Sequence, residues 1–529
     1  MINKKFQVWL PLLFSITMIA GMYIGYKMRD NMPGKSFFYT EKRKPVEEII
    51  DLIQHKYVDE VKTEELADTA IQAMLSKLDP HSVLIQAGQL QLANEDLAGK
   101  FFGIGIEFNI FGDTLNVINV IKAGPGEKAG LMTGDKFLKV GDSILTGKKM
   151  MADHYRKLLR GDRGTQVQIT FLRDGIQKQV ILTRDAITMS SVDAGYMMDG
   201  GTGYIRLNKF SSQTYREFME TLESLKKQGL LKLILDLRGN GGGILDEAVE
   251  IADEFLEGDK LITYTEGKHA EKKEYRCRRE GQFEKGPLVV LADEGTASAS
   301  EVLIGALQDW DRAIVIGRRT FGKGLVQEQF DLSDHSALRL TIARYYTPSG
   351  RNIQRPYSSG EKVYYEEIIN RFHDGETQSM DSVKNDTSKV YKTRLGKKIY
   401  GGGGISPDFF VPQDTSLHNP VEAKLFVKGT IQSFAYQYYL QHRQELSRFR
   451  SAKEFKDHFA LADQDWHQFG ILAAKDSIYT TKINQTGKTY LMGMLKANIA
   501  RLCWRMEGYF EISNTMDDFI KMSQKVMEK

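Results

Sequence analysis

Three short, mainly apolar runs restrict the folds open to this 529-residue chain more than any other feature. They are LKLILDL (231–237), PLVVLA (287–292) and AIVIG (313–317). Each is too short for a helix and shows no polar alternation, the pattern of a strand buried on both faces. Helical stretches are interleaved with them: TYREFMETLESLKKQG, GGGILDEAVEIADEFL and SASEVLIGALQDW. Strand and helix alternating from about Gly201 to Tyr357, with further strands in GYIRLNKF and ALRLTIARYYT, predict an α/β core around a mostly parallel sheet.

The flanking segments read differently. Before the core, VEEIIDLIQHKYVDEVKTEELADTAIQAMLSKLDPHS carries two apolar stripes at helical spacing. One is Ile49, Leu52, Ile53 and Tyr57; the other is Leu66, Ala70, Ile71, Met74, Leu75 and Leu78. Asp79-Pro80 is expected to close the second helix. From residue 98 to 187, short strands separated by Gly and Asp turns surround one helix, ADHYRKLLRG, as in a small β module. The polar stretch 370–392 reads as a surface insertion, and the chain after 415 as a helical extension. The expected division is an anchor and linker (1–39), a helical domain (40–97), a β module (98–187), a catalytic core (188–414) and a C-terminal extension (415–529).

Phe6 to Tyr26, FQVWLPLLFSITMIAGMYIGY, contains no charge and has the length of a membrane-crossing helix. Lys4 and Lys5 precede it, Lys27 and Arg29 follow it, and AGMYIGYKM is a poor cleavage site. An uncleaved single-pass anchor is expected, followed by a juxtamembrane linker. A short basic N-terminus before such a span stays in the cytoplasm, which places the remaining chain outside. Net charge is +3, from 72 basic and 69 acidic residues, so no broad basic field for nucleic acid exists. Cys277 and Cys503 form neither a metal-ligand spacing nor a disulfide framework.

Chemistry concentrates in EGTASASEVLIGALQDWDRAIVIGRRTFGKGLVQEQF, residues 294–330. SASE fits a capping box, with Glu301 three residues after Ser298, and a serine there is usually only a helix cap. Its setting argues for more. The strand before it ends at the carboxyl edge of an open α/β sheet, where such folds bind ligands. The helix start offers backbone N–H groups to an oxyanion, and a second set follows LDLRGNGGG, where Gly241, Gly242 and Gly243 admit a close peptide carbonyl. A serine nucleophile needs a base. His335 is the nearest histidine and reads as a loop residue; Lys323 in TFGKGLVQ follows a strand and has Phe321, Leu325 and Val326 to desolvate it. GRRTFGKG nearly matches a phosphate-binding loop, but Gly324 stands where Ser or Thr is needed and a strand follows instead of a helix, so nucleotide binding is set aside.

GTASASEVLIGALQDWDRAIVIGRRTFGKGLVQ resembles the signature block of the carboxyl-terminal processing proteases, serine–lysine peptidases with a PDZ domain (peptidase family S41). LDLRGNGGGILDEAV, YYTPSGRNIQ, GGGGISPDFFVP and LDPHS also resemble family motifs, so the likeness covers about residues 45–412. It implies a crotonase/ClpP-like core of ββα units with an inserted PDZ β-module, an N-terminal helical region and a helical C-terminal extension. It implies Ser298 as nucleophile, Lys323 as general base and Gln327 as the residue orienting the lysine. The N–H groups of Gly243 and Ala299 take the oxyanion-hole positions, and Ser300 is a decoy. Asp293 departs from the asparagine expected there. FFGIGIEF is similar to a PDZ carboxylate-binding loop, which assigns Gly103, Ile104, Gly105 and Ile106 to a peptide C-terminus. AGPGEKAGLMTGDKFLKVGD resembles the segment that follows, with Pro125 in a slightly altered pairing. The implied activity is cleavage near apolar protein C-termini, with no metal or organic cofactor, on the periplasmic side of a bacterial inner membrane; a homodimer is compatible with it. The alternative is a non-catalytic PDZ scaffold on the same fold.

Overall fold

The computed structural model describes residues 4–31, 45–147, 151–383, 386, 388–413 and 420–528. Most of the expected linker, the boundary expected between 39 and 40, and the boundary expected between 414 and 415 lie outside the described residues. Residues 1–74 and 75–529 form two separate units.

In the first unit, helix Lys4–Asn31 contains Pro11 and carries an apolar segment, Trp9–Lys27, long enough to cross a membrane. Helices Pro45–Lys56 and Thr63–Leu75 follow, where the two stripes predict them. The second helix stops at Leu75, short of the proline. Asp79 instead turns the chain with its side chain, accepting the N–H groups of His81 at 2.8 Å and Ser82 at 2.9 Å.

The second unit is built around a six-stranded sheet in the order Val192–Met197, Thr202–Leu207, Lys232–Asp236, Leu288–Ala292, Ile314–Gly317 and Phe409–Phe410. The first pair is antiparallel and every later pair parallel. The three apolar runs are its centre, and Leu233, Leu235, Val290 and Val315 pack on one face with helices Thr214–Lys227, Leu245–Asp253 and Ala299–Asp309. Ile234, Val289, Leu291 and Ile316 face the other side, where Phe519 and Ile520 of the last helix, Asp518–Met527, cover them. A second, antiparallel sheet combines Val83–Ile85, Leu261–Glu266, Lys273–Arg276, Leu325–Asp331 and Ala337–Tyr346.

The β module has its own core of Leu115, Val117, Phe137, Ile169 and Phe171. FFGIGIEF is not one continuous strand. Lys100–Gly103 pairs with Asp185–Thr188 apart from the module's sheet, while Ile106–Phe111 forms the edge of that sheet. The C-terminal extension is helical, with a separate core including Ile431, Phe455, Phe469, Leu491 and Leu495.

The stretch 370–392 is not wholly a surface insertion. Arg371, Glu376 and Thr377 are buried. Glu376 pairs with Arg319 at 2.6 Å, and Arg371 donates to the Thr320 carbonyl at 2.8 Å. Polar composition hides burial here because the charges are paired.

Candidate active site

Ser298 follows strand Leu288–Ala292 and begins helix Ala299–Asp309. Its φ of 58° and ψ of −118° lie in a region costly for any residue with a Cβ. The surroundings that impose this are polar and buried. Glu301 has no exposed surface and accepts four donors. One carboxylate oxygen takes the backbone N–H of Ser298 at 2.8 Å and of Lys323 at 2.9 Å. The other takes Gly322 N–H at 2.7 Å and the Thr320 hydroxyl at 2.5 Å. On the opposite side of the backbone, the Tyr345 hydroxyl contacts the carbonyls of both Ser298, at 3.0 Å, and Lys323. The two segments are thus tied together through N–H and C=O alike.

Lys323 is largely withdrawn from solvent. Burial, reinforced by the positive charge of Arg339, pushes its amine below the ordinary lysine range, against opposing pulls from Asp79 and Glu301. Its Nζ donates to Gln327 Oε1 at 2.9 Å, and Gln327 Nε2 donates in turn to the His81 carbonyl. Among the described residues no hydrogen bond joins the Ser298 hydroxyl to the amine. His81 was not singled out from the sequence, although it stands in the LDPHS motif. Burial, and then the charge of Lys323, lower its pKa to about 4, so the ring is neutral beside the lysine at pH 7. Its Nε2 lies 3.0 Å from the Tyr364 hydroxyl, and Arg355 stacks on both Phe321 and Tyr364 at 4.2 and 4.1 Å. Tyr345, the first residue of YYTPSGRNIQ, likewise joins the site without having been singled out.

The glycine turn after Lys232–Asp236 reaches the same place. A Cβ on Gly242 would lie 2.8 Å from both Ala299 N and Ser298 Cβ, and one on Gly243 only 2.1 Å from the Phe210 carbonyl oxygen. Both also have positive φ, 94° and 143°. Only glycine lets this backbone lie against the serine. Among the described residues, neither Gly243 N–H nor Ala299 N–H has an acceptor. Ser300 is turned away, its hydroxyl donating to the Asn240 carbonyl at 2.9 Å. Asp293 braces the site by accepting Gly239 N–H at 2.8 Å and Gly295 N–H at 3.0 Å.

In the β module, Gly103, Ile104, Gly105 and Ile106 lie at the mouth of a groove of about 380 Å³ that runs along the edge strand beside helix Ala152–Leu159. The N–H groups of Ile104 and Gly105 have no acceptor among the described residues.

An α/β sheet with a strained serine tied through Glu301 to the backbone of a part-buried lysine, joined to a β module with a groove, fits a serine-type peptidase with a PDZ domain. Comparison with known proteins agrees. Residues 201–359 match peptidase family S41, 103–183 a PDZ domain, 19–88 the N-terminal domain of the activating protease CtpB, and 423–505 a family of unknown function. The chain is 32% identical to the carboxyl-terminal-processing protease of Synechocystis, over 69% of this chain and 90% of that one. It is 31% identical to a probable CtpA-like serine protease of Staphylococcus saprophyticus, over 68% of this chain and 73% of that one. The solved photosystem II D1 C-terminal processing protease is 27% identical, covering 70% of this chain and 87% of that one, with a TM-score of 0.35. The chain belongs to the carboxyl-terminal processing proteases of peptidase family S41, and the scaffold alternative is set aside.

Proposed function

We propose that the protein cleaves polypeptides near their C-termini with a Ser298–Lys323 dyad, and that residues 103–106 capture the terminal carboxylate. The observation that carries this is the buried Lys323 amine, held on Gln327 while its backbone shares one Glu301 oxygen with Ser298. Hydrogen bonds of a dyad are often open before substrate arrives. On closure, the neutral amine takes the Ser298 hydroxyl proton as Oγ bonds to the peptide carbonyl carbon. The displaced electron pair becomes an oxyanion facing Gly243 N–H and Ala299 N–H. Collapse of this intermediate breaks the C–N bond, and the Lys323 ammonium returns its proton to the leaving amine. Water, deprotonated by the same lysine, then hydrolyses the ester and restores Ser298.

The proposal extends to the division of the chain at 40, 98, 188 and 415, and to anchoring by the apolar N-terminal helix with the peptidase in the periplasm. The apolar helix supports anchoring. Self-association into a homodimer rests on family resemblance alone and is read by sedimentation of the full chain in detergent. The central test incubates wild type, Ser298→Ala and Lys323→Ala with peptides bearing apolar C-termini and identifies products by mass spectrometry. Cleavage is expected in wild type only. A Lys323→Ala chain that still cleaves at the wild-type rate overturns the dyad.

A further inference from the structure

The peptide groove is not built by the PDZ module alone. Strand Ile106–Phe111 is an edge strand, paired among the described residues only with Thr114–Val120. Ile106, Phe108 and Ile110 pack on the module's core, so Glu107, Asn109 and Phe111 point to the other face. That second face is occupied by the C-terminal extension. Tyr436 stacks on Phe111 with ring centroids 4.9 Å apart, and Glu107 faces Arg501 at 3.9 Å and Arg505 at 3.6 Å. Arg501 also lines the groove itself, where Arg156 and Arg160 stand on the helix side and Glu107 is the one carboxylate among the described residues.

We infer that Arg501 is a specificity-determining residue of the peptide groove, selecting substrate chains with an acidic side chain one or three residues before the C-terminal residue. The inference rests on the reading of residues 103–106 as a carboxylate-binding loop and deepens it. A chain added to an edge strand presents alternate side chains to opposite faces. An apolar terminal side chain is buried only on the Ile106 and Phe108 side, because the other carries Glu107 and Asn109. The side chains one and three residues earlier then project toward Glu107, Asn109 and Arg501. A basic residue there meets a cation. An acidic residue meets a guanidinium whose contact with Glu107 is long and half-exposed, a pairing of little strength that gives way to a closer carboxylate. The extension, matched only to a family of unknown function, thereby acquires a role in choosing substrates.

The test measures binding of fluorescent decapeptides to the full-length Ser298→Ala chain. The peptides share one apolar terminal residue and carry Asp or Lys at both positions. The Asp peptide is expected to bind roughly five- to tenfold more tightly, by less as salt rises, as for a partly exposed ion pair. Arg501→Gln should erase the difference and Arg501→Glu should reverse it, while an alanine-substituted peptide binds all three chains alike and reports an intact groove. Equal binding of the Asp and Lys peptides to the Arg501 chain, or an Asp preference that persists in Arg501→Glu, overturns the inference. Undiminished binding of a C-terminally amidated peptide overturns the carboxylate-loop reading beneath it.

Discussion

Glu301 accepts the backbone N–H of Ser298 at 2.8 Å through a carboxylate oxygen that also holds Lys323 N–H at 2.9 Å. The pair is a capping box in sequence, and it also ties the start of the serine's helix to the loop that carries Lys323. Glu301→Gln keeps the volume but turns one oxygen into an N–H₂ donor, which must face two donors. Each charge-assisted bond lost in a buried site costs about 1.5–3 kcal/mol. With two such bonds lost, a fall of about 3–6 kcal/mol in urea-melt stability is expected. With the serine and lysine displaced, kcat/KM should fall about 100-fold. Unchanged kcat/KM would show that the clamp plays no part in placing the dyad.

The acidic limb of the pH–rate profile should follow Lys323, because only its neutral form accepts a proton. Burial and then Arg339 depress its pKa, so activity rises with pH through that lowered value, below the ordinary lysine pKa of 10.5. Replacing Arg339 with Gln removes the repulsive cation and should move the limb to higher pH. The same shift has a stability consequence of defined sign. Between the lowered pKa and 10.5 the unfolded chain holds more protons at this site than the folded one, so its contribution to stability grows as pH rises through that window. Initial rates at low substrate, measured from pH 5 to 10, give the limb; a limb unmoved by Arg339→Gln counts against Lys323 as the base.

Gly242 tests the proposed oxyanion site without touching a side chain. An alanine there would press its methyl against Ala299 N and Ser298 Cβ, each 2.8 Å away, in a backbone with φ of 94°. The expected loss in kcat/KM is about 10²- to 10³-fold, the size seen when an oxyanion donor is removed. Binding of a C-terminal peptide to the groove should be unaltered. Measuring both separates a disturbed N–H pair from a general loss of fold.

The parallel sheet is legible in the sequence because strands buried on both faces admit few polar residues, and LKLILDL, PLVVLA and AIVIG have only one inside their sheet segments, Asp236, apart from Lys232 at the start of its strand. Asp236 reads as a break in the pattern, but Arg238 and Arg206 hold it in an ion pair, at 2.6 and 2.9 Å. Ser298, Lys323 and the glycine turn are legible because strand ends and Gly-rich turns mark where an α/β sheet binds ligands. His81 and Tyr345 are not. His81 meets Gln327 from 246 positions away in sequence and Tyr345 meets Lys323 from 22, and no local pattern encodes those meetings. The same holds for Arg501, a polar residue within a helix whose partners lie in another domain.

Helix Asp518–Met527 makes the C-terminal extension part of the catalytic core. Phe519 is 8% exposed and packs with Ile520 against Val289, Leu291 and Ile316 on the sheet face opposite Ser298's helix. Arg238 and Arg318 stack on its ring at 4.5 and 5.2 Å, and Arg238 pairs with Asp517 at 2.7 Å. Truncating such a side chain removes its transfer free energy and leaves a cavity over the central strands. Phe519→Ala should cost about 3–5 kcal/mol of stability, visible as a lower urea midpoint. Since the same strands carry Asp293 and the glycine turn, residual peptidase activity should fall at temperatures where wild type is still fully folded. A midpoint within experimental error of wild type would mean that the last helix does not seal this face in solution.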